Sequence, residues 1–192
     1  MIIFEPPWKS YIVTTTEPVF SPDECNTIIE LGKKLPRKEG NVGFGGKNKI
    51  DHKIRRNKIS WIPFSKAQWM YSKLEHWMHT VNNKHMGFNA LQIGEYAQFT
   101  KYSKKEHYDW HVDSSDEMSK SPPVRKMSMI LLLNDPKEFK GGELQIVDKK
   151  KLMALKQGYG VFFASFIAHR VVPLTKGNRF SLTMWFGGPP LV

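Results

Sequence analysis

A single cysteine, Cys25, occurs in the 192 residues, so no intramolecular disulfide can form and nothing points to an oxidising compartment. Long apolar runs are also lacking. Residues 129–133 and 161–168 are the longest, far below the roughly 20 that span a bilayer, so no membrane association is expected and both runs read as buried strands. The first ten residues, MIIFEPPWKS, set a proline pair and an acid where a signal peptide needs an unbroken apolar stretch, and a cytoplasmic location is the expectation. No period of 20 to 50 residues recurs, which excludes repeat architectures. Acidic residues are few: 18 against 29 basic ones, for a formal net charge of +11 and a pI of about 9.7. That imbalance admits a polyanionic partner such as nucleic acid. Much of the excess is dispersed, however, and only residues 47–58 (KNKIDHKIRRNK) form a local basic cluster.

What is present is an ordinary folding composition, 40% apolar and 24% charged, at a length that suits one domain. Ser21-Pro22-Asp23-Glu24 combines a serine cap, proline at the first helical position and glutamate three residues after the cap, and so predicts a helix start. A second helix is predicted over residues 65–83, where Trp69, Leu74, Trp77 and Val81 recur at helical spacing. Residues 40–56, Gly-rich and basic, read as a loop between them. From Ala90 the pattern changes to short apolar or alternating runs: ALQIGEYAQF, HYDWHVD, RKMSMILLLND, GELQIV, GVFFAS, HRVVPL and RFSLTMWFG. The expected architecture is α+β: residues 1–89 as a helical support and residues 90–192 as a β-sandwich or jelly-roll core of the same domain.

His111 and Asp113 stand two apart in a strand-like segment, so both side chains leave the same face. His169 follows the apolar run VFFASFIA, where a buried strand would emerge. Two imidazoles and a carboxylate on one face of an octahedral ion leave three positions open, an arrangement that selects Fe(II) for oxygen chemistry. A His-x-Asp pair alone arises readily by chance among seven histidines. Its weight comes from Arg179 and Ser181, again two apart on a strand and shortly after the third ligand. The arginine fork pairs bidentately with a carboxylate and suits the far end of a dicarboxylate bound at the metal, while the serine adds a hydroxyl donor.

These pieces resemble the 2-oxoglutarate and Fe(II)-dependent oxygenases of the prolyl 4-hydroxylase-like group, including the bacterial and phage PKHD-type hydroxylases. Residues 102–113 (YSKKEHYDWHVD), 125–135 (RKMSMILLLND), 139–144 (FKGGEL) and 158–185 carry the likeness, with a weaker echo in ECNTIIELGKKL. The resemblance implies a double-stranded β-helix and the oxidative decarboxylation of 2-oxoglutarate to succinate and CO2, coupled to hydroxylation of a C–H bond. It implies Fe(II), 2-oxoglutarate and O2, with ascorbate as a candidate reductant, and no catalytic residue beyond the metal centre. His111, Asp113 and His169 match the metal ligands, and Arg179 the residue that binds the far carboxylate, where animal collagen prolyl hydroxylases usually have lysine. Tyr102 and Tyr108 match tyrosines ahead of the metal-binding pair, Tyr102 being the favoured co-substrate contact. Many relatives carry glycine between them where this chain has Lys105. Trp110 and Trp185 are candidates for the pocket wall. A peptide or protein substrate, prolyl first, is the leading reading. Oxidative demethylation of nucleic-acid bases is less favoured, because Trp185 stands where such relatives commonly carry a second arginine; a non-catalytic jelly-roll module is the third reading. Residues 114–126 and 47–58 are expected to order over a bound substrate.

Overall fold

The computed structural model describes residues 10–44, 47–114, 123–147 and 152–190. Its first helix begins where local chemistry dictates. Ser21 Oγ accepts from the Glu24 amide at 3.2 Å, while Glu24 accepts from the Ser21 amide at 2.9 Å, and this reciprocal cap starts α1 (Pro22–Lys34). The second helix, α2 (Gln68–Val81), starts three residues later than its periodicity predicts, because Phe64–Lys66 form a 3-10 turn behind Pro63. A single π turn, Asn82–Met86, closes it.

Strand β1 (Ile12–Thr14) precedes α1. Between the helices lie β2 (Lys38–Glu39), β3 (Val42–Phe44), β4 (Lys47–Lys49), β5 (Arg55–Arg56) and β6 (Lys58–Ile62). After α2 come β7 (Gln92–Ile93), β8 (Ala97–Tyr102), β9 (His107–His111), β10 (Val124–Leu132) and β11 (Lys140–Gly141). These are followed by β12 (Leu144–Ile146), β13 (Leu152–Met153), β14 (Gly160–Ala164), β15 (His169–Val171), β16 (Leu174–Lys176) and β17 (Arg179–Gly188). The larger sheet runs β1-β14-β10-β17-β8-β6-β2, with β7 also on β17, and faces a smaller sheet, β13-β12-β15-β9-β5. All its pairings are antiparallel. Two facing sheets of this kind make the double-stranded β-helix that the likeness implies.

Alternation along β10 shows how the core is divided. Met127, Met129 and Leu131 join Phe20, Ile28, Leu74, Met78 and Phe99 in a cluster between the larger sheet and the two helices. Ile130 and Leu132 point the other way and pack with Leu144, Val161, Phe163 and Val171 between the sheets. A strand covered on both faces has no polar side to show, which is why MSMILLL reads as one continuous apolar run.

The amino-terminal part is more than a helical support. Strands β1, β2 and β6 extend the larger sheet and β5 extends the smaller one, so the described residues before Ala90 share both sheets with the core. The stretch expected as a loop likewise holds the β3–β4 hairpin and β5.

Candidate metal centre

His111, Asp113 and His169 meet between the sheets, with one ligand atom from each lying within 4.8 Å of the others. Pairing of β9 with β15 sets His111 directly opposite His169. Asp113 lies two residues past β9. It is fixed by its amide, which donates to the Ser165 carbonyl at 2.9 Å, and Ser165 in turn meets Ser128 Oγ on β10 at 2.9 Å.

Tautomers follow from the backbone. His111 Nδ1 faces the Asp109 carbonyl at 2.8 Å and His169 Nδ1 faces the Ile167 carbonyl at 3.1 Å. A carbonyl only accepts, so each Nδ1 carries a proton and each Nε2 is turned to the centre. Nε2 of His111 stands 3.6 Å from Asp113 Oδ1, and Nε2 of His169 stands 3.5 Å from Asp113 Oδ2. Burial and the neighbouring His169 press the His111 imidazole down to about 3, against the pull of Asp113, so it is neutral at physiological pH. Burial would push the Asp113 carboxyl up, but His169 and His111, helped by Ser128, hold it below the usual carboxylate range. Asp113 Oδ2 is buried without a hydrogen-bond partner among the described residues. Two imidazoles turned to the centre through Nε2 and an ionised carboxylate are the donor set a divalent cation requires, and Fe(II) fits it.

Strand β17 turns Arg179, Ser181, Thr183 and Trp185 to the same face, and pairing with β8 sets Arg179 opposite Tyr102 and Ser181 opposite Thr100. Arg179 is 2% exposed, and its Nη1 donates to Ser181 Oγ at 3.0 Å. Burial works against its charge, and among the described residues no carboxylate lies within ion-pair distance. A buried guanidinium without an acid is costly unless an anion joins it. Tyr102 is fully enclosed at 5.5 Å from the Arg179 guanidinium, and burial raises its phenol. Tyr108 stacks on His111, ring centroids 3.5 Å apart, and burial pushes its phenol up to about 12. The glycine departure is resolved locally. Lys105 adopts φ +69, the left-handed conformation that glycine takes most readily, and its amide donates to the Leu174 carbonyl at 2.7 Å, so the turn is kept with lysine in it.

The two tryptophans part company. Trp185 is buried opposite Ser128 on the inner face, with its Nε1 unpartnered, the Arg125 guanidinium 3.9 Å over its ring and Trp61 at 5.9 Å. Trp110 lies under Arg170, which also reaches Gln145 and Asp109 on the outer face of the smaller sheet, so it does not line the pocket. Sequence reasoning missed Arg125, held by Glu95, and also Arg55. Arg55 comes from the middle of the basic cluster, yet it is buried over the Tyr108 ring at 4.5 Å. Most of the expected 114–126 flap, residues 115–122, lies outside the described residues.

Comparison with known proteins agrees with this geometry. Residues 97–187 match the family described as the 2OG-Fe(II) oxygenase superfamily. A PKHD-type hydroxylase of Shewanella frigidimarina is 33% identical over 92 residues, covering 45% of this chain and 41% of that protein. The chain thus spans about two-fifths of the length of the curated relatives it matches. Among solved structures, the viral collagen prolyl hydroxylase of Paramecium bursaria Chlorella virus-1 superposes with a TM-score of 0.71 at 19% identity, covering 92% of this chain and 96% of that one. A Trichoplax adhaerens prolyl hydroxylase gives 0.72 at 17% identity, covering 92% and 83%. The structural likenesses establish the fold, while the family match takes in the strands that carry His111, His169 and Arg179: residues 97–187 of this chain are similar to the 2-oxoglutarate/Fe(II) oxygenase superfamily, with PKHD-type hydroxylases among the curated relatives.

Proposed function

We propose that this chain is a 2-oxoglutarate- and Fe(II)-dependent dioxygenase that hydroxylates a C–H bond in a peptide or protein, a prolyl residue being the first candidate. The observation that carries this reading is the convergence, between the same two sheets, of a His111–Asp113–His169 triad and a buried Arg179 with no acid in ion-pair contact among the described residues. His111, Asp113 and His169 would hold Fe(II), which would supply oxygen activation coupled to decarboxylation of 2-oxoglutarate.

The chain's own residues bind and orient. Arg179 and Ser181 are placed to receive the far carboxylate of the co-substrate, and Tyr102 closes the same end. Both ligand imidazoles are fixed by backbone carbonyls, so neither can turn its lone pair away. Trp185, capped by Arg125, offers a flat apolar wall beside Ser128, suited to a saturated ring. A peptide substrate draws support from the Trichoplax neighbour, which was solved with a hypoxia inducible factor oxygen degradation domain peptide fragment. The test is incubation with Fe(II), 2-oxoglutarate, ascorbate and a panel of proline-containing peptides. A mass gain of one oxygen on a peptide, dependent on 2-oxoglutarate, is expected. Succinate formation with no oxygen gained by any peptide would remove the peptide substrate while leaving the oxygenase chemistry.

A further inference from the structure

Outside the matched residues 97–187, Arg55 and Asn57 form a buried pair beside β8 and β9. Arg55, 7% exposed, is pinned by three segments: Nε donates to Asn57 Oδ1 at 3.1 Å, Nη1 to the Asn41 carbonyl at 2.9 Å and Nη2 to Gln98 Oε1 at 3.2 Å. A guanidinium only donates, so the oxygen of the Asn57 amide must face it. That fixes the amide orientation and leaves Nδ2 as the outward group. Asn57 is 4% exposed, and its Nδ2 has no hydrogen-bond partner among the described residues.

Buried donors without an acceptor are rare in native proteins, and this one has an alternative that would remove the problem. Aspartate at position 57 would pair with Arg55 more strongly and leave no donor unsatisfied. An asparagine here makes sense where a donor is needed. Asn57 directly precedes β6, whose Lys58 pairs with Lys101, and so stands beside Tyr102 on β8. Tyr102 is the cross-strand partner of Arg179, and Ser181 is next on the same face. Ser181 Oγ already accepts from Arg179, so its own proton remains free to be donated. Arg179, Ser181, Tyr102 and Asn57 thus form a buried set of donors, and a carboxylate, which only accepts, completes it.

The backbone makes room for the pair. Gly40 donates its amide to the Asn57 carbonyl at 3.1 Å, and a methyl on Gly40 would collide with Asn57 Oδ1 and Arg55 Nε. We propose that Asn57 is a further binding residue for the carboxylate that Arg179 and Ser181 receive, with Arg55 and Gly40 positioning its amide. This rests on the function proposed above and extends the co-substrate site into the amino-terminal strands.

The test is calorimetric titration of 2-oxoglutarate into the full chain loaded with Mn(II), comparing wild type with Asn57→Ala, Asn57→Asp, Gly40→Ala and Arg179→Ala. Asn57→Ala is expected to weaken 2-oxoglutarate about tenfold, the usual loss for a contact to a charged group. Asn57→Asp should weaken it further, because a second carboxylate then faces the first, while Mn(II) affinity stays at the wild-type value in both. Gly40→Ala, which disturbs the pair from outside the site, should shift affinity in the same direction. A purely structural asparagine predicts the opposite order, since Asn57→Asp keeps the Arg55 contact. Wild-type affinity in Asn57→Asp, with Arg179→Ala still impaired, would overturn this inference alone and leave the orphan donor to a water. Absence of 2-oxoglutarate uptake by the wild type would overturn both this inference and the proposed function.

Discussion

His111 and His169 solve the same problem the same way, each turning Nδ1 to the carbonyl two residues back so that Nε2 faces Asp113. Removal of either His111 or Asp113 leaves two ligands at most. Either alanine variant should therefore lose stoichiometric Fe(II) or Mn(II) in elemental analysis, and wild-type metal content in both would displace the site. The pH dependence has a definite sign. Folded His111 titrates near 3, and unfolded histidine near 6.5, so between those values the unfolded chain takes up a proton that the folded chain refuses. Metal-free stability should fall as pH drops through that window, by at most about 1.4 kcal/mol per pH unit for one proton. Asp113 adds stability that is present above the unfolded carboxylate value and is lost only at lower pH. Denaturant midpoints of metal-free protein at pH 7 and pH 5 check this, and His111→Ala should flatten the slope. Lys105 offers a third residue-scale test: Lys105→Gly relieves a left-handed φ and should stabilise the turn by about 0.5–1 kcal/mol, read as a raised melting temperature.

Helix α1 shows why some elements are legible and others are not. Its start is written in four adjacent residues, and Ser21→Ala should cost about 1 kcal/mol for want of the cap. Its packing is not written there. Gly32 lies against the Phe99 ring of β8, and a methyl at that position would run into the ring. Helix propensity alone predicts that Gly32→Ala stabilises; packing predicts a loss of about 1–3 kcal/mol, which a denaturation curve distinguishes. The same contrast explains the basic cluster. KNKIDHKIRRNK looks like a solvated face, and nothing nearby in sequence reveals that Arg55 turns inward, because its partner Gln98 is 43 residues away. The convergence of His111, Asp113 and His169 could be anticipated because His111 and Asp113 follow a strand's two-residue period and His169 follows a buried apolar run. Trp110 misled because a register shift between β9 and β15 sends it to the outer face with Arg170.

At the scale of the whole molecule, the two sheets pass through both the amino-terminal part and the core, so the His111–Asp113–His169 cluster, Arg179 and the described strands before Ala90 form one packed unit. The change of pattern at Ala90 hid the strands before it, since strands as short as β2 and β5 carry too few residues to set an apolar period. Among the described residues no helix is long and apolar enough to cross a membrane. The central claim is that one site joins the triad to a 2-oxoglutarate pocket around Arg179, and it predicts that the two halves fail differently. The direct measurement is 2-oxoglutarate-dependent CO2 release with Fe(II) and O2 across co-substrate concentration, in wild type, Asp113→Ala and Arg179→Ala. Release by the wild type, none from Asp113→Ala at any concentration, and release from Arg179→Ala restored only at roughly ten to a hundred times more 2-oxoglutarate is the predicted result. Equal release from all three proteins, or none from the wild type, would contradict it.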